Sequence, residues 1–351
     1  MVEDTGMNND LPAPLCSVCI ANYNGEQVLA DCIDSVLAQQ GDARLEIIIH
    51  DDASSDGSLQ LLQSRYPRDL YPQIQLIVSQ ENVGFCISNN RMVDVARGHY
   101  VLLLNNDAAL APDAIQSLLA ASRTQPREGI LTLPQLDWQS GELVDRGCLL
   151  DPFYNPIPNL DPAQRDVAMV IGACLWLPRE LWQALGGFPA WFESIAEDMY
   201  LCCRARLAGY PVQVTPGSFY RHRQGASFGG NRVANNRLAS TYRRRRLSER
   251  NKSYVLAICT PPLQLWLSLP LHLLLLSVEG LLLSLLKGEA RIWREIYRNA
   301  LLSLLHERPR LLAERRAAQA SRDSSRGYAA AFRLLPRKLA MLLRHGLPGL
   351  R

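Results

Sequence analysis

Two asparagines and one aspartate follow a short apolar run in a pattern that could hold a metal ion and a diphosphate. Asn105, Asn106 and Asp107 come directly after residues 100–104, which are apolar and typical of a buried strand. In an open α/β sheet, ligands bind beyond the carboxyl ends of the strands. Carboxylate and amide oxygens suit a hard cation such as Mg²⁺ or Mn²⁺, which we expect Asp107 to ligate. The alternative is that these residues only form a turn before a helix.

Two further polar clusters extend this hypothesis. Residues 22–24 and 51–56 each follow an apolar run of strand length. We expect Asp51 to accept a hydrogen bond from the N3–H of a uracil or thymine ring, and Tyr23 to stack on that ring. The sequence has neither Gly-x-Gly-x-x-Gly nor Gly-x-x-x-x-Gly-Lys, so a metal ion is the expected partner of the phosphates.

The elements that would position these clusters alternate between strand and helix. Strands are predicted at residues 15–21, 45–50, 74–78, 100–104 and 170–177, helices at 28–37, 85–97 and 199–209, and a hairpin at 138–145. Repeated strand–helix–strand units favour a doubly wound, mostly parallel α/β sheet with right-handed crossovers. In such a sheet the three polar clusters lie at one edge.

The combination of segments resembles family 2 glycosyltransferases of the GT-A fold, which implies a Rossmann-like, mostly parallel sheet with flanking helices. The matching segments are residues 18–24, 35–39, 51–58, 82–85, 89–90 and 102–107. Asn105 stands where the family usually has the first residue of Asp-x-Asp, a replacement common in the rhamnosyltransferase-like branch. Ser88 and Met92 stand where relatives usually have glycine, which could reshape the sugar pocket.

The resemblance also implies which side chains contact the donor. Asn24, Asp52 and Asn90 are expected to join Tyr23 and Asp51 in binding the nucleotide. The amides of Asn105 and Asn106 are expected to contact the diphosphate or the sugar. The implied donor is a nucleotide-diphospho-sugar, of the dTDP-rhamnose or UDP-hexose type.

A second acidic pair, Glu197 and Asp198, stands at the start of a predicted helix. Acidic residues favour a helix N-terminus, where the helix dipole stabilises them by about 0.3–1 kcal/mol, so a structural role is one interpretation. The other comes from the resemblance, because Gly-Gly-Phe at 186–188 followed by Glu-Asp matches the segment that carries the base of inverting enzymes. Such a base contributes about 10²–10⁴-fold in rate. We favour Asp198 as the base without excluding Glu197.

His222 is the last candidate in the body of the chain. A single histidine is more often structural than a ligand. His222 lies at the position of the family's His-x-x-Gly-x-Ser, where the resemblance implies a contact with the metal or the diphosphate. A neutral imidazole can ligate Mn²⁺, so Asp107 and His222 are the predicted metal ligands.

Composition separates the chain into an acidic body and a basic tail. Residues 243–351 hold 21 Lys+Arg and 7 Asp+Glu, a net of +14, whereas the remainder has a net of −11. The nine cysteines lack metal-ligand spacing, and we interpret Cys16 and Cys19 as buried free thiols, typical of a reducing cytoplasm. Residues 1–14 have no apolar core of a signal peptide and are expected to be flexible.

The tail begins with arginines at 243–246 and continues with residues 253–278, which contain no Asp, Glu, Lys or Arg. This run is long enough to span a bilayer, but Pro261, Pro262 and Pro270 interrupt it, and Glu279 with Gly280 is expected to break its far end. A transmembrane helix, an in-plane membrane helix and a helix buried on the body all remain open, with membrane contact favoured by the arginines. Nucleic-acid binding is not expected, since no recognised module is present.

The sequence therefore predicts a flexible N-terminus at 1–14, a GT-A domain at 15–242, and a helical, apolar and basic membrane-associating extension at 243–351. The expected function is inverting, metal-dependent sugar transfer to a saccharide or lipid-linked acceptor in cell-envelope polysaccharide synthesis. The expected location is the cytoplasmic face of the inner membrane. The alternative is a catalytically inactive, membrane-associated assembly factor; the candidate site residues argue against it.

Overall fold

The computed structural model describes residues 15–223, 232–234, 237–323, 325–345 and 349–350. The predicted flexible segment 1–14, and the glycine and serine of the His-x-x-Gly-x-Ser pattern, lie outside these residues. Sixteen strands are numbered β1 to β16 in chain order: Cys16–Asn22, Leu45–Asp51, Ile74–Val78, Tyr100–Asn105, Ala108–Leu110, Ile130–Thr132, Gln135–Asp137, Leu143–Asp145, Cys148–Leu150, Pro156–Pro158, Cys174–Pro178, Val212–Val214, Tyr220–His222, Arg232–Ala234, Arg237–Ser240 and Gly349–Leu350.

Thirteen α-helices accompany the strands in the part of the chain that the structure describes. They are numbered α1 to α13: Leu29–Leu37, Ser58–Arg65, Phe85–Val95, Ala114–Thr124, Arg179–Leu185, Glu197–Leu207, Tyr242–Cys259, Pro262–Lys287, Ala290–Ile292, Arg298–His306, Arg308–Ala320, Ser325–Ala329 and Arg337–His345. A short 3₁₀ turn covers Ala190–Phe192, and a π-helical turn covers Trp293–Tyr297.

A seven-stranded sheet forms the centre of the molecule, in the order β12-β6-β11-β4-β1-β2-β3. β1, β2, β3 and β4 pair in parallel, as the alternation of strands and helices predicts. β1 aligns Asn22 with Asp51 of β2 and Ala21 with Asn105 of β4. The predicted meeting of the polar clusters at one edge is therefore confirmed.

The remaining strands of this sheet are mixed in direction. β11 runs antiparallel between β4 and β6, and β12 pairs in parallel with β6. The predicted strand at 170–177 is correct in kind but begins only at Cys174. Residues 171–173 form a turn that approaches two polar clusters.

A four-stranded sheet in the order β5-β13-β7-β8 covers the carboxyl end of β4. β7 and β8 form the predicted hairpin, with Gln135 opposite Asp145. β13 runs antiparallel to β5 and places His222 opposite Ala108. This pairing brings a residue from late in the chain beside the end of β4.

Two apolar clusters lie on the two faces of the central sheet, since successive strand residues point to opposite sides. Val18 and Ile20 face the cluster under α1 and α4. Cys19 faces the cluster that also holds Tyr254 and Leu256 of α7. α7 is thus part of the same core as the sheet. All nine cysteines are buried free thiols, which confirms the interpretation of Cys16 and Cys19.

The charge-free run at 253–278 is divided between two helices with different surroundings. α7 ends at Cys259, because Thr260 is extended ahead of Pro261 and Pro262. Residues 253–256 of α7 are buried against the body, whereas α8 leaves most of its apolar side chains exposed. The run therefore contains both a buried helix and an exposed one.

The expected break at Glu279 and Gly280 is wrong, because α8 continues to Lys287. Glu279 forms ion pairs with Arg245 and Lys338 at 2.7 and 2.5 Å, which satisfies its charge inside the helical extension. Gly280 allows close packing, since a Cβ there would lie 2.5 Å from the Cβ of Tyr297.

Candidate active site

Three amide and carboxylate side chains connect the ends of β1, β2 and β4. The amide nitrogen of Asn22 donates to Asp51 Oδ2 at 2.9 Å, and its oxygen accepts from the amide nitrogen of Asn106 at 2.8 Å. Gly25 packs against these side chains, and a Cβ at this position would collide with Asn22 and Asn106. Asn22 was not among the predicted site residues. Its position at the last residue of an apolar strand is the signal that could have identified it.

Asp51 and Tyr23, the predicted contacts of the base, differ strongly in exposure. Asp51 is 1% exposed, and its Oδ1 accepts from the backbone N–H of Ser54 at 3.0 Å. Tyr23, which follows β1 at the same edge, is 51% exposed. The edge thus offers an anchored carboxylate and an exposed aromatic ring.

Asn24 and Asp52 shape the backbone around this edge. Asn24 has a left-handed φ of 52°, and its Oδ1 accepts from the N–H of Ser55 at 2.8 Å. The carboxylate of Asp52 accepts from the N–H groups of Val83 and Gly84 at 2.8 and 2.9 Å. Both side chains position the loops that would surround a nucleotide, and their direct contact with it stays a prediction.

Asn90 forms its hydrogen bonds with Phe188 and not with the residues of this edge. Its amide nitrogen donates to the carbonyl of Phe188 at 2.8 Å, and its oxygen accepts from the N–H of Phe188 at 3.0 Å. These two bonds attach α3 to the turn at Gly186 and Gly187, both of which have positive φ. Asn90 therefore holds the segment that leads towards Glu197, and its contact with a nucleotide stays a prediction.

Asn105 and Asn106 have different surroundings although they are adjacent. Asn106 is tied to Asn22, as described above. The amide oxygen of Asn105 is buried and has no hydrogen-bond partner among the residues that the structure describes. A buried acceptor without a partner is uncommon and invites a ligand that donates a hydrogen bond.

Asp107 and His222 meet because β13 pairs with β5. His222 Nε2 lies 3.0 Å from Asp107 Oδ1, and the backbone N–H of Arg223 donates to the carbonyl oxygen of Asp107 at 3.0 Å. Asp107 is 3% exposed and His222 is 8% exposed. The structure thus brings the two predicted metal ligands into direct contact.

The donor set of this pair fits a divalent cation. Neighbouring ligands of an octahedral ion with bonds of 2.0–2.1 Å lie about 3 Å apart, close to the separation of these two atoms. The other ring nitrogen of His222, Nδ1, lies 3.3 Å from the amide oxygen of Gln135, an acceptor that could orient the ring as a ligating histidine requires. In the described part of the chain, no group of three or more His, Cys, Asp or Glu side chains could hold a metal. The role of Asp107 and His222 as metal ligands therefore stays a prediction.

Glu197 and Asp198 are the first two residues of α6. The preceding residue, Ala196, has a left-handed backbone conformation. The Asp198 carboxylate is half-buried and accepts from the N–H of Gly172 at 3.0 Å and of Met199 at 2.7 Å. Glu197 is 6% exposed, and its Oε2 has no partner among the described residues. The two acids thus have different surroundings, as expected for adjacent helical residues.

Burial decides the protonation of this pair. It raises the pKa of the Glu197 carboxyl to about 8, and the neighbouring Asp198 carboxylate adds to the rise. Burial also raises the pKa of the Asp198 carboxyl. The backbone N–H donors and the positive charge of Arg244 lower this pKa, but their effect is smaller than that of burial. A carboxyl group with a raised pKa accepts a proton more readily, which suits a general base. Arg244 belongs to the arginine run that the sequence analysis attributed to the membrane.

Two consecutive residues join the acidic pair to the Asn105–Asp107 cluster. Gly172 donates to Asp198, and the carbonyl of Ala173 accepts from the N–H of Asn105 at 3.1 Å. The two contacts are one residue apart in the chain, so the candidate base lies beside the candidate diphosphate site. Tertiary folding alone produces this proximity, since Asn105 and Asp198 are 93 positions apart in the sequence.

Comparisons with known proteins identify the family of the chain. The model of the glycosyl transferase family 2 matches residues 17–139, and that of the glycosyl transferase family group 2 matches residues 100–297. The chondroitin synthase of Escherichia coli is 30% identical over 189 residues, which are 54% of this chain and 26% of that protein. The N-acetylglucosaminyl-diphospho-decaprenol L-rhamnosyltransferase of Mycobacterium tuberculosis is 25% identical over 53% of this chain and 68% of its own length. The chain spans about a fifth to a quarter of the first synthases it matches.

Solved structures extend the comparison to the fold. GalNAc-T7 with UDP, GalNAc and Mn²⁺ superposes with a TM-score of 0.55 and 15% identity, over 71% of this chain and 48% of that one. Residues 1–349 of Staphylococcus aureus TarS with UDP-GlcNAc superpose with a TM-score of 0.53 and 15% identity, over 87% and 90% of the two chains. The predicted GT-A fold is confirmed. Since the second family model alone covers more than half of the sequence, the chain belongs to the family 2 glycosyltransferases.

Proposed function

We propose that the chain transfers a sugar from a nucleotide-diphospho-sugar to a saccharide or lipid-linked acceptor, with inversion at the anomeric carbon. The observation that carries the proposal is the link through Gly172 and Ala173, which places Asp198 beside the Asn105–Asp107 cluster. A general base and a diphosphate site must be neighbours in direct displacement. Membership of the family supports the reaction class.

The donor would lie across the carboxyl ends of β1, β2 and β4. Tyr23 would stack on the base, and Asp51 would accept from its N3–H. The amide oxygen of Asn105, which has no hydrogen-bond partner among the described residues, would accept a hydrogen bond from a hydroxyl of the donor. A dTDP-rhamnose or UDP-hexose donor fits these groups, and the rhamnosyltransferase relative supports the first.

Asp107 and His222 would hold Mn²⁺ or Mg²⁺ together with the donor's diphosphate. When bound, the ion would neutralise the charge that develops on the leaving diphosphate. The GalNAc-T7 structure was solved with Mn²⁺, which supports this choice.

Asp198 would take the proton of the acceptor hydroxyl as its oxygen attacks the anomeric carbon. The new C–O bond forms on one face while the bond to the diphosphate oxygen breaks on the other, and the nucleoside diphosphate leaves with the electron pair. Glu197 would remain protonated behind Asp198, because burial raises its pKa to about 8. A neutral neighbour allows Asp198 to carry the negative charge.

We also propose that the extension binds the cytoplasmic face of the inner membrane, where lipid-linked acceptors of cell-envelope polysaccharides are found. α8 is long and apolar enough to cross a bilayer by length and composition. It exposes Leu263 and Trp266 by 90% and 83%. The basic tail would add attraction to anionic lipids, about 1 kcal/mol per Lys or Arg near the surface.

The contacts of α8 favour a helix that lies in the plane of the membrane. His272 Nε2 lies 2.7 Å from the hydroxyl of Ser253, and Glu279 pairs with Arg245 and Lys338. If α8 spanned the membrane, the Glu279 carboxylate would either enter the hydrocarbon layer or lose its partners Arg245 and Lys338. Both changes cost much free energy. An in-plane helix keeps these contacts and buries its exposed apolar face.

The direct test is a panel of nucleotide sugars, measured by thermal stabilisation and donor hydrolysis with and without Mn²⁺. We expect one donor to stabilise the protein in a metal-dependent way and to be hydrolysed slowly. Asp107→Ala should abolish the metal dependence, whereas Asp69→Ala, an exposed acid before β3 at the opposite edge of the sheet, should not.

Equal donor affinity with and without Mn²⁺ in the wild-type protein would remove Asp107 and His222 from a metal site. No response to any donor, even with acceptor lipids added, would favour an inactive assembly factor.

A further inference from the structure

The segment that precedes the candidate base has an unusual backbone. Glu193, Ile195 and Ala196 have φ angles of 65°, 71° and 69°, in the left-handed region that residues other than glycine rarely adopt. Ala196 is the residue before α6, so this segment sets the direction in which α6 starts. A backbone of this kind persists only where surrounding contacts determine it.

Asn251 of α7 supplies these contacts. It is fully buried, and its amide nitrogen donates to the carbonyls of Phe192, Ser194 and Ile195 at 2.9, 2.9 and 2.8 Å. Two hydrogens are shared among three acceptors, so one bond is bifurcated. One side chain thus fixes three carbonyl groups of a four-residue segment.

Arg250 orients this amide and holds the segment from outside. Its Nε donates to Asn251 Oδ1 at 2.9 Å, which directs the amide nitrogen towards the carbonyls. Its Nη2 donates to the carbonyl of Phe192 at 3.0 Å, and its Nη1 pairs with the Glu193 carboxylate at 2.9 Å. On the other side, the backbone N–H of Cys86 in α3 donates to the Glu193 carbonyl at 3.3 Å.

We propose that Asn251, oriented by Arg250, is a positioning residue for sugar transfer that fixes residues 192–196 and thereby aims Asp198 at the acceptor hydroxyl. This role rests on the proposed function, and it adds a residue from the C-terminal extension to the catalytic arrangement. Asn251 does not touch the substrate; it acts through the backbone of the segment. A shift of about 1 Å in a reacting group can cost about 10²-fold in rate.

The alternative is that Asn251 only stabilises the fold. Asn159 offers a matched control, because it is 3% exposed and its amide nitrogen also donates to two backbone carbonyls, those of Arg146 and Gln164, at 3.2 and 2.8 Å. Its loop is separate from residues 192–198. Asn251→Ala and Asn159→Ala therefore remove similar contacts from two different segments.

The experiment compares the two variants and the wild-type full chain in melting temperature, in hydrogen–deuterium exchange of the peptide 192–199, and in kcat and KM with the donor that the panel identifies. We expect both variants to lower the melting temperature. Only Asn251→Ala should speed exchange in 192–199 and lower kcat about 10²-fold, with the KM for the donor unchanged. Should Asn251→Ala fail to fold, Arg250→Gln provides the test, with a smaller loss of kcat in the same direction.

Three results would overturn the role of Asn251. One is unchanged exchange at 192–199. Another is faster exchange with normal kcat, which would make the contact structural only. The third is an equal loss of kcat in Asn159→Ala. A wild-type protein that transfers no sugar would overturn the proposed function and this role with it, and the exchange data would still report whether Asn251 holds the segment.

Discussion

Glu197 and Asp198 are adjacent in the sequence, yet α6 gives them different surroundings. Asp198 is half-buried and accepts two backbone hydrogen bonds, whereas Glu197 is buried with one oxygen unpartnered among the described residues. The contrast favours a division of roles, with Asp198 as the base and Glu197 as the neutral neighbour. The sequence could name the pair, but it could not separate its members, because burial is decided by α7 and by the turn at 171–173.

Replacement of Asp198 tests the base directly. We expect Asp198→Asn to keep donor affinity and to lose about 10²–10⁴-fold in kcat, since the amide cannot accept the proton. Donor binding by calorimetry and turnover with saturating acceptor measure the two quantities. Asp69→Asn, far from the site edge, should leave both unchanged. Turnover close to the wild-type value in Asp198→Asn would assign the base to Glu197.

Replacement of Glu197 tests its raised pKa through stability. Its pKa rises from 4.5 to about 8 on folding, so between these pH values the folded state binds more protons than the unfolded state. Stability then falls as pH rises through this window. Glu197→Gln should remove this loss, so the variant gains stability relative to wild type at pH 8 but not near pH 4. Each unit of raised pKa contributes about 1.4 kcal/mol.

Thermal unfolding across this pH range measures the effect. Glu142→Gln, at an exposed position, should show no pH-dependent gain. A parallel pH dependence of wild type and Glu197→Gln would contradict the raised pKa.

At the scale of elements, a buried ionic cluster joins α7, α8 and α13. Glu249, with its side chain 1% exposed, pairs with Lys252 at 2.5 Å, with Lys338 at 2.7 Å and with Arg245 at 3.1 Å. Burial and these cations act in opposite directions on the pKa of Glu249, and the cations hold it well below its usual range. The cluster explains why α8 remains attached to the body although most of its surface is apolar and exposed.

Loss of the central carboxylate should weaken the extension. Glu249→Ala removes the carboxylate that three cations share. Arg245 and Lys338 keep their pairs with Glu279, whereas the buried Lys252 loses its ion pair, and we expect a loss of about 3–5 kcal/mol in the free energy of unfolding. Glu295→Ala breaks the exposed pair with Arg291 and should change the free energy of unfolding far less, because water screens that pair. Chemical denaturation measures both values. A loss below about 1 kcal/mol for Glu249→Ala would mean that water solvates the cluster in the native protein.

The elements that the sequence predicted best are those with an apolar run bounded by polar residues. The strand at 74–78 matches its prediction, and β1, β2 and β4 differ from theirs by one residue at one or both ends. The start of β11 and the continuation of α8 past Glu279 were missed. Both depend on partners elsewhere in the chain. The Gly172 N–H donates a hydrogen bond to Asp198, and Glu279 forms ion pairs with Arg245 and Lys338.

At the scale of the molecule, catalytic body and helical extension share a core. α7 packs on the same face of the sheet as α6, and its Asn251 holds the segment before Asp198. α8, which follows, carries the exposed apolar surface. The proposed membrane helix α8 is therefore connected to the proposed catalytic site through α7, and Pro261 and Pro262 mark the boundary between the two helices.

The membrane proposal predicts a specific loss of lipid binding. Replacement of Leu263, Trp266 and Leu267 by glutamate should reduce sedimentation with anionic vesicles by at least about tenfold, since these exposed side chains would leave the lipid. Leu70→Glu and Leu160→Glu, at exposed positions of the body, should bind as the wild type does. Equal vesicle binding by all variants would place the contact elsewhere.

Sequence alone determined the fold class and predicted the chemistry of the site, because apolar strands must be buried and the polar residues at their carboxyl ends then meet at one edge. It named Asp51, Asp107, Glu197, Asp198 and His222 from residue type and resemblance. Tertiary structure decided that Asp107 contacts His222, through β13, and that Asp198 is connected to the Asn105–Asp107 cluster through residues 172–173. It also brought the charge of Arg244 near Glu197 and Asp198, bonded Asn251 to the segment before them, and left most of α8 exposed. These facts depend on long-range packing, in which residues far apart in the chain set each other's burial and hydrogen bonds, and no local pattern records them.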